Sequence, residues 1–204
     1  MFNLSIKSTI QNYDVFFTQS AYQALNDELN PGDVILVDKN VFCHLNDDMK
    51  RMVTSRKHIF IQATESQKSY TALAPIIEQL IESRFRKNDR LICIGGGITN
   101  DITAFIASIM YRGVEWLFFP TTLLGQADSC IGGKTSINIG NFKNQLGNFY
   151  PPRKIFIIPE FLKSLPETDF KSGMGEMLHF YLVSGEDDFR FYQENYDKAF
   201  TDES

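Results

Sequence analysis

The chain has 204 residues, of which 43% are hydrophobic, and its formal net charge is −5. This is enough for one globular domain with a substantial core, or for one domain and part of another. The negative charge gives no electrostatic reason to expect nucleic acid or an anionic membrane as a partner, and no apolar run has the length of a transmembrane helix or the character of a signal peptide, so we expect a cytoplasmic protein.

Strands and helices are predicted to alternate through most of the chain. The predicted strands are 2–10, 13–18, 34–37, 58–62, 90–94, 116–119 and 154–158, and the predicted helices are 21–29, 41–53, 71–85 and 100–111. This alternation is typical of a parallel sheet with helices on both faces. From residue 166 the pattern becomes helical, at 167–183 and 187–200. We therefore expect a Rossmann-like α/β domain at 1–165, followed at 166–204 by the start of a second, all-helical domain.

Three consecutive glycines follow the apolar run that predicts the strand at 90–94. Gly95, Gly96 and Gly97 lie between that strand and a helix predicted to begin near Thr99. Glycines allow a pyrophosphate to approach the backbone closely, and the free amides and dipole of a helix start favour negative charge. Because the spacing differs from Gly-x-Gly-x-x-Gly, these residues alone leave open a nucleotide site or a plain tight turn.

Charged and polar residues are dense in the otherwise apolar region 112–144. Arg112, Lys134 and Lys143 lie near glycine-rich turns there. Burying a charge is costly unless the charge is paired or bound to a ligand, so this mixture favours a cleft that binds phosphate or carboxylate groups. The alternative is that the three cations are solvated at the surface.

Six motifs, taken in their order and spacing, carry a resemblance to a known family. They are GGGITND at 95–101, YRG around Arg112, PTTLLGQADSCIGGKT at 120–135, KNQLGNFYPP at 143–152, FLKSLPETDF at 161–170 and GMGEM at 173–177. With them, the chain from about residue 38 to residue 197 resembles the N-terminal portion of the 3-dehydroquinate synthase family of sugar phosphate cyclases.

The resemblance implies a carbon–oxygen lyase of the shikimate pathway, which serves aromatic amino acid biosynthesis. Such an enzyme uses NAD catalytically, together with a divalent metal that is normally zinc, with cobalt as the other candidate. It converts a heptulosonate phosphate, a small sugar acid phosphate, to 3-dehydroquinate with loss of phosphate. The resemblance also implies a homodimer.

The resemblance assigns an NAD pocket to residues that follow several predicted strands. They are Asp38, Asn40, His44, Glu65, Lys68, Gly96, Gly97, Ile98, Asp101, Thr121, Thr122, Leu124, Asp128, Ser129, Lys143, Phe161, Ser164 and Leu165. Asp38 has independent support, because an acid beyond a strand end can accept hydrogen bonds from ribose hydroxyls. Without the family, Asp38 and the Thr121–Thr122 pair are equally well explained as helix caps, and Asp101 as an acid favoured by the helix dipole.

The resemblance also implies the residues that contact the substrate and the metal. Its substrate and catalytic positions are Arg112, Asp128, Lys134 and Asn144, and Lys143 falls between cofactor and substrate. Glu176 matches the family's carboxylate ligand for the metal. For Glu176 alone, a solvated helix face would be the simpler interpretation.

Two features depart from the family's pattern. His179 stands three residues after Glu176, where the family has lysine. It could act in catalysis beside the substrate or approach the metal. It could also indicate a different substrate, or simply be a partly exposed polar residue. The family also continues beyond the point that corresponds to Ser204 into a helical domain, which supplies two histidine ligands, a catalytic histidine and basic substrate contacts. We therefore expect a fragment or a split gene, with a complete short protein as the alternative.

Three other functions remain open from the sequence. The first is a related sugar phosphate cyclase that makes another cyclitol, which the His179 substitution motivates. The second is an NAD- and metal-dependent alcohol dehydrogenase of the glycerol dehydrogenase type, which shares a glycine loop and paired threonines. The third is a non-catalytic NAD-binding fragment or interaction subunit.

Overall fold

The computed structural model describes residues 3–200, which form nine strands and seven α-helices within that range. The strands are β1 (Asn3–Ile6), β2 (Tyr13–Phe17), β3 (Val34–Asp38), β4 (Lys57–Ile61), β5 (Leu91–Gly95), β6 (Trp116–Pro120), β7 (Ile137–Ile139), β8 (Phe142–Leu146) and β9 (Lys154–Ile157). The α-helices are α1 (Ala21–Glu28), α2 (Lys39–His44), α3 (Asp47–Thr54), α4 (Tyr70–Glu82), α5 (Gly97–Ile109), α6 (Glu167–Ser184) and α7 (Glu186–Asn195).

Seven of these strands form one sheet in the order β1-β2-β9-β6-β5-β3-β4. All neighbours are parallel except β1 and β2, which form an antiparallel pair at one edge. β1 is shorter than the predicted strand 2–10, and residue 2 lies outside the described residues. The strands β7 and β8 form a separate two-stranded hairpin, which we call the 137–146 hairpin.

Helices cover both faces of the sheet, which confirms the predicted α/β fold class. Every residue of β3, β5 and β6 is buried, as expected for parallel strands with helices on both sides. Leu36 packs into the cluster that includes residues of α4 and α5, whereas its neighbours Ile35 and Val37 pack into the cluster that includes residues of α1 and α3. Because successive side chains of a strand point to opposite faces of the sheet, the apolar residues of β3 contribute to two cores, one on each face.

The predicted helix 41–53 is wrong in one respect, because the structure has two helices there. The break falls at Leu45 and Asn46, between α2 and α3. The side chain of Asp38 caps α2 by accepting a hydrogen bond from the Asn40 amide at 2.8 Å, and Asn46 caps α3 by accepting one from the Met49 amide at 2.9 Å. Each cap satisfies an amide that would otherwise lack a partner at a helix start.

The C-terminal part is helical, as predicted. The helices α6 and α7 pack together, and the Tyr192 hydroxyl donates to the Met174 carbonyl oxygen at 2.8 Å. Several apolar side chains on these helices are exposed, including Phe180, Val183 and Phe191. A domain boundary at residue 165 stays a prediction. Among residues 3–200, every helix is too short or too polar to cross a membrane.

Candidate functional site

The triple glycine joins β5 directly to α5, at the carboxyl edge of the parallel sheet. Gly96 is the N-cap of α5 and Gly97 is its first helical residue, so the helix begins earlier than predicted. A Cβ atom at Gly95 would lie 2.6 Å from the Cβ of Thr99, whereas one at Gly97 would meet nothing within 4 Å. Gly95 is therefore required by packing, and Gly97 leaves open space in front of the helix start.

A cleft of about 480 Å³, which we call the first cleft, opens at this point of the sheet. It is lined by most of the residues that the sequence predicted for a cofactor: Asp38, Asn40, His44, Gly96, Gly97, Ile98, Thr121, Thr122, Phe161, Ser164 and Leu165. It is also lined by residues that the sequence analysis missed: Val41, Cys43, Leu45, Ala63, Pro166 and Asp169. Apolar wall residues carry no signal that distinguishes them from core, but Asp169, in the first turn of α6, could have been recognised as a polar helix start.

Two polar groups of the first cleft are buried. Burial raises the pKa of the Asp38 carboxyl above its usual value, and hydrogen bonds from the backbone of Asn40 and Val41 oppose this effect. The Thr121 hydroxyl is buried and has no hydrogen-bond partner within residues 3–200. Because buried hydroxyls are normally paired, Thr121 is a polar atom that a ligand or a water molecule could satisfy.

A second cleft, of about 560 Å³, shares Gly97 with the first. It brings together three of the predicted substrate residues, Asp128, Lys134 and Asn144. Besides Gly97, four residues assigned to the cofactor also line it: Lys68, Asp101, Ser129 and again Asp128. The second cleft thus combines cations, carboxylates and an amide beside the helix start.

Lys68 is the buried cation of the second cleft, with 7% of its surface exposed. Its Nζ lies 2.5 Å from Asp101 Oδ2 and donates to Asn144 Oδ1 at 2.7 Å. Burial raises the pKa of the Asp101 carboxyl, and the Lys68 ammonium acts in the opposite direction. The buried charge of Lys68 is therefore paired, and the pair holds the Asn144 amide in place.

The 137–146 hairpin presents Asn144 from a left-handed backbone conformation, with φ 56°. The Asn144 side-chain oxygen also accepts a hydrogen bond from Ser136 Oγ at 2.7 Å. Next to Asn144, the exposed Lys143 ammonium lies 3.7 Å from Glu65 Oε1. Neither Lys143 nor Glu65 lines either cleft, so this pair of predicted cofactor residues lies outside the lining of both.

A single π-helical turn, Gly125–Ser129, positions the other wall of the second cleft. The Cys130 amide donates to the Gly125 carbonyl oxygen at 3.1 Å, five residues back. Such turns are rare in proteins, and those that exist are frequently found at functional sites. Ser129 Oγ is buried here without a hydrogen-bond partner among residues 3–200. Leu124 lies just before this turn, against Gly173 of α6, and lines neither cleft.

Arg112 does not reach either cleft, contrary to the expectation that three cations line one pocket. It lies in the 3₁₀ turn Met110–Arg112, which follows the C-terminal end of α5. The 13 residues of α5 span roughly 20 Å, so Arg112 and Gly97 lie at opposite ends of the helix. Its role in substrate binding stays a prediction that the clefts of this chain do not support.

Glu176 and His179 are exposed on α6 and line neither cleft. Glu176 follows Asp169 by seven residues, so it lies two turns further along the helix face that borders the first cleft. Within residues 3–200 there is no group of three His, Cys, Asp or Glu side chains that could hold a metal ion. Since catalytic zinc sites use three protein ligands, these residues do not by themselves form such a site.

Comparison with known proteins gives one family match and several relatives. The family model described as 3-dehydroquinate synthase N-terminal matches residues 58–172. The 3-dehydroquinate synthase of Clostridium tetani is 35% identical over 188 residues, covering 90% of this chain and 50% of that protein. That of Pelagibacter ubique is 34% identical over 203 residues, covering 96% of this chain and 55% of that protein. The chain therefore spans about half the length of the curated relatives it matches.

Solved structures give the same fold. The 2-epi-5-epi-valiolone synthase of Streptomyces hygroscopicus, solved with NAD⁺ and Zn²⁺ bound, is 26% identical with a TM-score of 0.73, covering 86% of this chain and 50% of that one. A 2-deoxy-scyllo-inosose synthase has a TM-score of 0.75 at 21% identity, covering 87% of this chain and 52% of that one. The glycerol dehydrogenase of Schizosaccharomyces pombe has a TM-score of 0.59 at 20% identity, covering 82% and 42%. The last two likenesses concern the fold alone.

Proposed function

Because the chain belongs to the 3-dehydroquinate synthase family, we propose that it supplies the NAD-binding part of a 3-dehydroquinate synthase. The whole enzyme would convert a heptulosonate phosphate to 3-dehydroquinate with loss of phosphate. One observation carries this proposal: two clefts meet at Gly97, one lined by the cofactor positions of the family and the other by Asp128, Lys134 and Asn144.

The residues of the first cleft fit NAD. The open space in front of Gly97 leaves the first amides of α5 free to bind a pyrophosphate. The Asp38 carboxylate can accept hydrogen bonds from ribose hydroxyls, and the unpaired Thr121 hydroxyl is a further group for the ligand to satisfy. When bound, NAD supplies the oxidation of one substrate hydroxyl and the later reversal of that oxidation, so that NAD ends unchanged.

The second cleft offers groups for a substrate that carries both a phosphate and a carboxylate. Lys134 provides a cation at the cleft surface, and Asn144 provides an amide whose oxygen is already engaged by Lys68 and Ser136. The remaining Nδ2 group of Asn144 is thus the donor left for a ligand. Holding the substrate in one orientation beside the helix start is the contribution that these side chains make to the rate.

The neighbouring valiolone synthase binds Zn²⁺, and we propose a divalent metal, zinc or cobalt, for the complete enzyme with Glu176 as one ligand. The described residues do not bring a second and a third ligand to Glu176. We also propose that His179, which lies three residues after Glu176 on the same face of α6, is near the substrate. A cytoplasmic homodimer remains part of the same proposal.

The first test is calorimetric titration of this chain with NAD. We expect saturable binding of one NAD per chain, and the absence of binding would contradict the proposal. The second test adds the heptulosonate phosphate to the complete enzyme and follows phosphate and NADH together. A 3-dehydroquinate synthase releases phosphate without net NADH.

A related cyclase for another sugar phosphate is the second candidate, because His179 replaces the family lysine. The phosphate assay separates the two candidates. Phosphate release from a different sugar phosphate, with none from the heptulosonate phosphate, would identify the related cyclase. Net NADH from a simple polyol would instead indicate an alcohol dehydrogenase.

A further inference from the structure

Asn138 lies in the 137–146 hairpin, is 7% exposed and lines neither cleft. Its side chain connects two distant segments of the chain. The Nδ2 group donates to Glu65 Oε1 at 2.8 Å, and Oδ1 accepts from the Asn144 backbone amide at 2.9 Å. The Asn138 backbone amide donates to the Lys68 carbonyl oxygen at 2.8 Å. One buried residue therefore joins the segment after β4 to the hairpin.

These bonds act on Asn144 and Lys68, two of the residues that bring polar groups into the second cleft. Asn144 has a left-handed backbone, which asparagine adopts more readily than most residues but which still needs support from its surroundings. That support is the bond from its amide to Asn138 Oδ1. Lys68, whose Nζ holds the Asn144 side chain, is in turn anchored through its own carbonyl oxygen to Asn138.

The bond to Glu65 fixes which way the Asn138 amide faces. Because Nδ2 points to the Glu65 carboxylate, Oδ1 is directed at the Asn144 amide. The same bond is the largest cause of the lowered pKa of the Glu65 carboxyl. The Glu65 carboxylate therefore orients the side-chain amide of Asn138, and that amide in turn supports the backbone conformation of Asn144 in the second cleft.

We propose that Asn138 is a positioning residue of the second cleft, which through Asn144 and Lys68 orients the groups that bind an anionic substrate. The identity of that substrate rests on the proposed function. The positioning itself rests only on the hydrogen bonds of this chain, so the two can be tested separately.

The test compares four variants with the wild type. Asn138→Ala removes the side-chain bonds to Glu65 and to Asn144. Asn138→Asp keeps an acceptor but places a second carboxylate beside Glu65. The double variant Asn138→Asp with Glu65→Gln reverses donor and acceptor, so that a hydrogen bond can form again. Asn141→Asp, at the exposed turn of the same hairpin, is the control for the added charge.

The first readout is hydrogen exchange of the Asn144 backbone amide, measured by NMR in the chain without ligand. We expect exchange to be at least tenfold faster in Asn138→Ala, because the amide loses its acceptor. Asn138→Asp should also exchange faster than the wild type, whereas the double variant should return to within about threefold of it. Asn141→Asp should match the wild type.

The second readout is binding, with inorganic phosphate as the probe of the second cleft and NAD as the probe of the first. In Asn138→Ala we expect the Kd for phosphate to rise at least fivefold and the Kd for NAD to change less than about twofold. The double variant should recover phosphate binding, which a loss of general stability would not allow.

Unchanged exchange at Asn144 in Asn138→Ala would overturn the proposal, as would equal weakening of phosphate and NAD or no recovery in the double variant. If Asn138→Ala does not fold, Asn138→Asp and the double variant decide by the same two readouts. If the wild type binds neither phosphate nor NAD, the proposed function fails, and the exchange of Asn144 still decides whether Asn138 positions it.

Discussion

Replacing Lys68 by methionine removes the ammonium that pairs with Asp101 but keeps most of the side-chain volume. The two side chains are 9% and 21% exposed, and their charged atoms are 2.5 Å apart. Breaking a buried pair by removing one partner usually costs about 3–5 kcal/mol, since the other charge stays buried and unpaired. Asp101 can reduce this cost by taking up a proton, so we expect Lys68→Met to lower the free energy of unfolding by about 2–4 kcal/mol at neutral pH.

The loss should depend on pH. Without Lys68, burial and the Glu65 carboxylate both act to raise the pKa of Asp101 and nothing opposes them, so the folded-state pKa should lie further above the usual 3.8 than in the wild type. A raised folded-state pKa contributes stability that is present below the unfolded-state pKa and is lost as the pH rises through the folded-state value. The variant should therefore be closest to the wild type in acid, and the difference should grow toward neutral pH.

Urea unfolding at several pH values between about 5 and 8 measures both effects, and Asp101→Asn with the double variant completes a mutant cycle. We expect a coupling energy of at least about 1.5 kcal/mol. The matched control is Lys143→Met, because Lys143 and Glu65 are 71% and 45% exposed and such pairs contribute about 0–1 kcal/mol. A loss in Lys68→Met as small as that of the control, with no dependence on pH, would refute the reasoning.

Three further predictions concern the first cleft. Gly97→Leu should weaken NAD binding by more than about tenfold in a titration with little change in the unfolding midpoint, because a Cβ atom at this position meets nothing within 4 Å. In the folded chain a thiol reagent should modify the exposed Cys43 but not Cys93 or Cys130, whose burial raises their pKa values to about 12, and NAD should slow that reaction. NAD affinity should fall as acid protonates Asp38, at a pH above 3.8 because burial raises its pKa. Rapid reaction of two thiols would contradict the prediction for Cys43. NAD affinity that stays constant down to the usual aspartate pKa would contradict the prediction for Asp38.

Much of the sheet could be predicted from the sequence because its central strands are buried on both faces. Parallel strands of this kind appear in the sequence as short apolar runs, such as those of β3, β5 and β6. The helices between them are recognised by apolar residues that recur every three or four positions. The break between α2 and α3 was missed, although Asn46 followed by Asp47 and Asp48 is a helix-start signal that lies inside the apolar pattern.

The 137–146 hairpin could not be predicted in the same way. Strand β8 has four exposed residues of five and no apolar alternation, and its middle residue, Asn144, is held by a side-chain bond from Lys68 in another segment. Asn138 was missed for the same reason, because its partner Glu65 is 73 positions away in the sequence. Arg112 shows how little sequence distance says about position, since this cation follows the glycine run by 15 residues and yet lies beyond the other end of α5, and its substrate role stays a prediction.

Gly97 borders both clefts, and this shared wall has a thermodynamic consequence. A molecule seated against Gly97 on one side alters the surface and the electric field that a molecule on the other side encounters. If the first ligand changes the affinity of the second by some factor, the second must change the affinity of the first by the same factor, because such coupling is reciprocal. The two clefts are therefore expected to fill cooperatively, with a sign that depends on the charges their occupants bring together.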